Sequence, residues 1–166
     1  MFHPGHGWAR AGRKGLITVG MDDFAVKLLG RVDSISLPAA GSMVKQGSAG
    51  WLMNADGKAI PMLSPVDGAV VEINMDVVDV PSLAFDDPYG KGWLFKVKNG
   101  NQSVENMVPT ATVGKWLEGI REALFSRQSA LAAGLCQDGG EPICGLARAI
   151  DSQKWDDVAK EFLLTK

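Results

Sequence analysis

Charge of one sign is nowhere concentrated in this chain. No block of five like charges occurs and the formal net charge is −2, so there is no basic face for nucleic acid and no charged tail. Long hydrophobic runs are missing too. None approaches the eighteen or so apolar residues that a membrane crossing needs. The opening residues Met1-Phe2-His3-Pro4-Gly5-His6 lack the basic start and apolar stretch of a secretory signal. The expectation is a cytoplasmic protein with neither nucleic-acid nor membrane partners. Cysteine is scarce, with two in 166 residues, which excludes a disulfide scaffold. Histidine is equally scarce. His3 and His6 are far from the cysteines along the chain and no Cys-x-x-Cys pair occurs, so no metal site is expected. No Gly-x-Ser-x-Gly, phosphate loop or dinucleotide fingerprint is present, which points away from an enzyme.

Glycine, by contrast, is plentiful. Twenty glycines and eight prolines punctuate short β-type runs up to about residue 100, a spacing that suggests a compact sandwich or barrel. Leu16–Val19, Arg31–Leu37, Met43-Val44, Ala69–Asn74 and Trp93–Val97 read as strands. Arg10–Gly15 reads as a turn, and Met75–Asp86 as a loop with some turn structure. Asp22-Asp23 offers a cap for one short helix carrying Phe24, Ala25, Leu28 and Leu29, and Gly30 ends it. A composition boundary falls near Asn99–Asn106, which divides the chain into residues 1–100 and a helical extension, residues 101–166. In the extension Val113, Trp116, Leu117, Ile120 and Leu124 form one helical stripe, running from near Thr112 to about Ala133. Trp155, Val158, Ala159, Phe162 and Leu163 form a second, with Asp151 or Ser152 as its cap. Such stripes pack on the β part or on each other, or else serve dimerisation through the C-terminal helices.

The most informative stretch is Met53–Val66. Asp56-Gly57 is a two-residue hairpin signal, because a type I′ turn needs positive φ at both central residues. Trp51–Met53 leads in and Ala59–Leu63 leads out, so Lys58 follows the tip directly. A lysine beside a tight tip is either a cofactor anchor or an ordinary surface amine. Trp51, near the hairpin, is a candidate partner contact, since aromatics at functional tips anchor interfaces. Cys136 and Cys144 flank a Gly-Gly loop and are candidates for a reversible disulfide, although idle thiols are the plainer reading. The acidic pairs Asp22-Asp23 and Asp86-Asp87 sit at cap and turn signals, which explain them without acid–base chemistry.

Many pieces of the first hundred residues together resemble one family. They are His6-Gly7-Trp8, Val19-Gly20-Met21-Asp22-Asp23-Phe24-Ala25, Leu29-Gly30, Leu37-Pro38, Val44-Lys45-Gln46-Gly47, Ser64-Pro65-Val66-Asp67-Gly68 and Asp87-Pro88-Tyr89-Gly90-Lys91-Gly92-Trp93-Leu94. The chain resembles the H protein of the glycine cleavage system. The resemblance implies a mainly β, lipoyl/biotinyl-type flattened barrel sandwich with a C-terminal α-helical extension. It also implies a non-catalytic carrier whose lipoyl arm takes an aminomethyl group between partner enzymes, and a fold-signature histidine at His6. In the family the lysine follows Glu-Ser-Val and lies seven residues before the Ser of Ser-Pro-Val; here that position is Gly57, preceded by Asn54-Ala55-Asp56. Lys58 is one residue late. The first reading is therefore an H-protein-like module that docks glycine-cleavage-type or lipoate-related enzymes without a lipoyl arm. A second keeps lipoate on Lys58. A third is a thiol redox protein using Cys136 and Cys144.

Overall fold

Strands that alternate in burial pair here into two antiparallel sheets. The structure is a computed structural model that describes residues 1–98, 106–126 and 144–165. Its strands are β1 (Gly7–Ala11), β2 (Leu16–Met21), β3 (Ser34–Ser36), β4 (Met43–Val44), β5 (Ala49–Ala55), β6 (Lys58–Leu63), β7 (Gly68–Ile73) and β8 (Phe95–Lys98). One sheet runs β1-β2-β8-β7-β4 and the other β3-β5-β6. Neither closes on itself. Along β5 and β6, Trp51, Met53, Ala55, Ile60 and Met62 turn inward, while Leu52 and Asn54 face out, as a period of two requires. The inward set shares one apolar cluster with Val70, Phe95 and Val97 of the other sheet.

The first helix follows its sequence signals. α1 (Asp23–Leu29) is capped by Asp22, whose carboxylate accepts the Ala25 N–H at 2.9 Å. Gly30 ends it at φ +64°. That glycine has a second task. A Cβ there would lie 2.8 Å from the Gly145 backbone, so the close approach of the C-terminal segment needs glycine.

Two expectations are corrected. Arg10–Gly15 is not a turn throughout, because Arg10 and Ala11 belong to β1, which pairs with β2 from Gly7↔Met21 to Ala11↔Ile17. Its register comes from β2, a partner that local turn chemistry does not reveal. Met75–Asp86 is not a loop: it holds α2 (Met75–Asp79) and α3 (Leu83–Asp86). Asn74 starts α2 by accepting the Asp76 N–H, and its amide donates to the carbonyls of Lys91 and Trp93 at 2.9 and 2.6 Å.

α4 (Val113–Ser126) begins one residue after the predicted start, and the predicted stretch beyond residue 126 lies outside the described residues. So does most of the predicted boundary near residue 100. α5 (Leu146–Ile150) and α6 (Trp155–Phe162) follow. Neither Asp151 nor Ser152 caps α6, as the sequence suggested: its N-cap is Lys154, without a side-chain cap bond. Asp151 instead ties the preceding turn by accepting the N–H groups of Gln153 and Lys154 at 3.0 and 2.9 Å. Both predicted stripes face the chain's own core. Leu124, Leu146, Trp155, Val158, Ala159 and Leu163 belong to the same cluster as the sheets, with Leu117 and Ile120 packed against it. Among the described residues no helix is long and apolar enough to cross a membrane.

Candidate functional site at the hairpin tip

The β5–β6 turn is built as its two residues demand. Asp56 and Gly57 have φ of +52° and +73°, and Ala55 faces Lys58 across the turn. The apex is bare. Nothing lies within 4 Å of a Cβ added at Gly57.

The residues on either side of that apex are held by the C-terminal segment. The Lys58 ammonium forms an ion pair with the Asp156 carboxylate. It also donates to the Gln153 carbonyl at 3.1 Å and stands 5.5 Å from the centroid of the Trp155 ring. On the other arm Asp56 accepts from Arg148 Nε at 2.7 Å, and the Asp56 N–H donates to Asp33 at 2.9 Å. The Arg148 guanidinium lies 4.1 Å from the Trp155 ring centroid and also donates to the Leu29 carbonyl. Trp155 is 3% exposed, so its ring is a buried plate with two cations near it, Lys58 from the hairpin and Arg148 from α5. Lys58 is the main reason why the Asp156 carboxyl is held down to about 2; Lys160, 3.2 Å away, adds to the effect. Gly145 N–H donates to the Lys27 carbonyl at 2.8 Å and seats the start of this segment on α1. Between α1 and the α2–α3 pair a cavity of about 660 Å³ is lined by Val26, Val32, Val80, Phe85 and Cys144, among others.

The structure thus brings Gly57 and Lys58 to the tip but not Trp51. That residue was expected as an exposed contact; it is 2% exposed and packs edge-on against Phe95, centroids 5.8 Å apart. The correction has a simple cause. Residues 51, 53 and 55 share the inward face of β5, so the strand's pleat commits the indole to the core. Cys144 is exposed, whereas Cys136 lies outside the described residues. The residues that do meet the tip, Arg148, Trp155 and Asp156, were not singled out for it. Lys58 and Asp156 are 98 residues apart, and only their opposite charge hints at the pairing.

A second polar cluster ties the fold together. His6 Nδ1 and Asp22 Oδ2 lie 2.8 Å apart, both fully buried. The imidazole stacks on Phe24 and on Trp116, with centroids 4.4 and 4.9 Å away. Asp22 therefore serves the ring and the cap of α1 at once. Asp87 closes its turn by accepting the Lys91 N–H at 2.8 Å. Tyr89 donates to Asp23 at 2.7 Å, and burial, with that bond, pushes its phenol well above the usual range. Asp22 and Asp87 are thus accounted for by a cap and a turn, and Asp23 by its bond to Tyr89.

Comparison with known proteins points one way. A family model described as "Glycine cleavage H-protein" matches residues 1–118. A glycine cleavage system H protein from Marinobacter nauticus is 42% identical over 93 residues, 56% of this chain and 72% of that protein. One from Aliivibrio fischeri is 35% identical over 122 residues, covering 73% of this chain and 94% of its own length. A crystal structure of a glycine cleavage system H protein from Mycobacterium marinum superposes with a TM-score of 0.63 at 26% identity, over 70% of this chain and 94% of that one. Residues 119–166 lie beyond the span matched by the family model, and α5 and α6, which flank the tip, are among them.

Proposed function

The chain belongs to the glycine cleavage H-protein family, a family of carriers and not of catalysts, and from that premise we propose that it is a docking module without a lipoyl arm. One observation carries this reading: the amine nearest the tip is already committed within the chain. Gly57, at the position that the family resemblance assigns to the modified lysine, has no amine to acylate. Lys58 has one, but it begins β6 and is turned aside to Asp156 and the Gln153 carbonyl. An attached dithiolane at Lys58 would have to break the ion pair and leave Asp156 without its principal partner. The residues present do not fit lipoate. What remains usable is the family's rigid sandwich, whose surface serves to meet partner proteins. Enzymes of the glycine-cleavage or lipoate-handling type are the partners we infer.

Intact mass of the full chain, purified from its own organism beside a lipoylated relative, tests this. The expected spectrum of this chain carries no lipoyl increment. An increment that disappears in Lys58→Arg would overturn the proposal and restore the carrier reading. The thiol reading is tested apart: under mild oxidant, an alkylation assay is expected to leave Cys136 and Cys144 free.

A further inference from the structure

The residues on either side of the bare apex, Asp56 and Lys58, are gripped by a short piece of chain that is held there in a particular way. α5 has five residues and α6 eight, too few to persist as isolated helices in water. Their order must come from what they touch. Apolar anchors supply part of it, through Leu146, Trp155, Val158 and Leu163. The rest is charge, and it is aimed at the two arms of one hairpin. Arg148 meets Asp56, and Asp156 meets Lys58. The two pairs have opposite polarity, so the segment seats in one orientation only; reversed, like charges would face each other.

We propose that residues 144–165 are a reversible latch on the hairpin tip, and that Lys58 is its catch. The latch occupies the flank of the tip, part of the sandwich surface inferred above to meet partner proteins, so the proposal rests on that reading. Lys58 then has a task that needs a flexible ammonium and no cofactor. Its pairs with Asp156 and of Arg148 with Asp56 are only partly shielded, at 36% and 18% side-chain exposure in the first and 27% and 60% in the second. Partly shielded pairs weaken with salt and exchange readily for other partners. A competitor that opens the latch would have to offer the same groups, an aromatic ring set between a cation and a carboxylate. The stretch Arg148-Ala149-Ile150-Asp151-Ser152-Gln153-Lys154-Trp155-Asp156 is such a ligand, carried in the chain itself.

Hydrogen exchange of the full-length protein, read by mass spectrometry segment by segment, tests the latch. Segments that open by themselves exchange faster than the core they leave. In Lys58→Gln combined with Arg148→Gln, amides of α6 and of residues 54–60 are expected to exchange faster by about five-fold, the scale of such pairs. Those of β2 and β8 should hold. Raising the salt should move the wild type in the same direction, and Lys58→Arg should stay close to wild type. Exchange of α6 that ignores both substitutions and salt would overturn the proposal, since apolar packing alone would then hold the segment. So would acceleration of β2 and β8 together with α6, because the segment would not open separately. The mass experiment reports on the arm and this one on the latch, so either can fail alone.

Discussion

At the scale of single residues the tip turns on Trp155. Its ring is buried and has the Arg148 guanidinium 4.1 Å and the Lys58 ammonium 5.5 Å from its centroid. Truncation to Ala in such a place costs about 3–5 kcal/mol. Trp155→Ala is therefore expected to lower the urea midpoint strongly, whereas Trp155→Phe, which keeps a ring beside both cations, should lose much less. Asp156 makes a second prediction, with a definite sign. Its carboxyl is held at about 2 in the fold, chiefly by Lys58, against about 3.9 when unpaired. A depressed acid stabilises the fold above its unfolded value and ceases to do so as pH falls through its folded one. The latch should thus hold at pH 5 and loosen between about pH 4 and pH 2. Exchange of α6 amides at matched intrinsic rates would record it, and Asp156→Asn should flatten that dependence. Little of this was legible beforehand. Trp155 was visible as one member of a helical stripe, which predicts burial but not against what. Trp51 shows the opposite failure, since nearness to a turn in sequence suggested exposure while the pleat sent the side chain inward.

Elements were legible where their cause is local. The Asp56-Gly57 turn, the Asp22 cap and the Gly30 stop each rest on the conformational range of one or two residues, and each stands where the sequence puts it. β1 and the α2–α3 pair were missed because their causes are distant. β1 takes its register from β2, and Asn74 orients α2 only while its amide reaches the carbonyls of Lys91 and Trp93. The turn gives a clean measurement at this scale. Gly57 has φ of +73° and open space where a Cβ would go, so a substitution there meets backbone strain and nothing else. Gly57→Val should cost about 1–2 kcal/mol and lower the melting temperature. Gly57→Asn, which enters this region more readily, should cost less. Equal melting of the two variants would show that the apex relaxes out of its left-handed conformation.

For the whole molecule the question is what joins the parts, since one cluster of buried side chains runs from the sheets into the C-terminal helices. The His6–Asp22 pair is the polar joint inside it. His6 comes from the segment before β1 and stacks between Phe24 of α1 and Trp116 of α4. Asp22 also caps α1, so the first strand, first helix and fourth helix all depend on one carboxylate and one ring. Burying an ion pair or a charge-assisted bond adds little net stability, yet removing one member leaves the other uncompensated, at about 3–5 kcal/mol. The family signature made His6 legible as a fold residue, but its partner Trp116 belongs to a stripe read only as apolar, and the stacking could not be inferred from either. His6→Ala is therefore expected to lower the urea midpoint of every spectroscopic probe together, with the slope unchanged, as a cooperative loss should. Asp22→Asn keeps an oxygen for the Ala25 N–H and should fall between that variant and wild type. The contrast with Lys58→Gln is the point of the measurement: loss of the catch should speed exchange in α6 and leave the sheets folded, while loss of the buried ring should bring down sheets and helices in one transition.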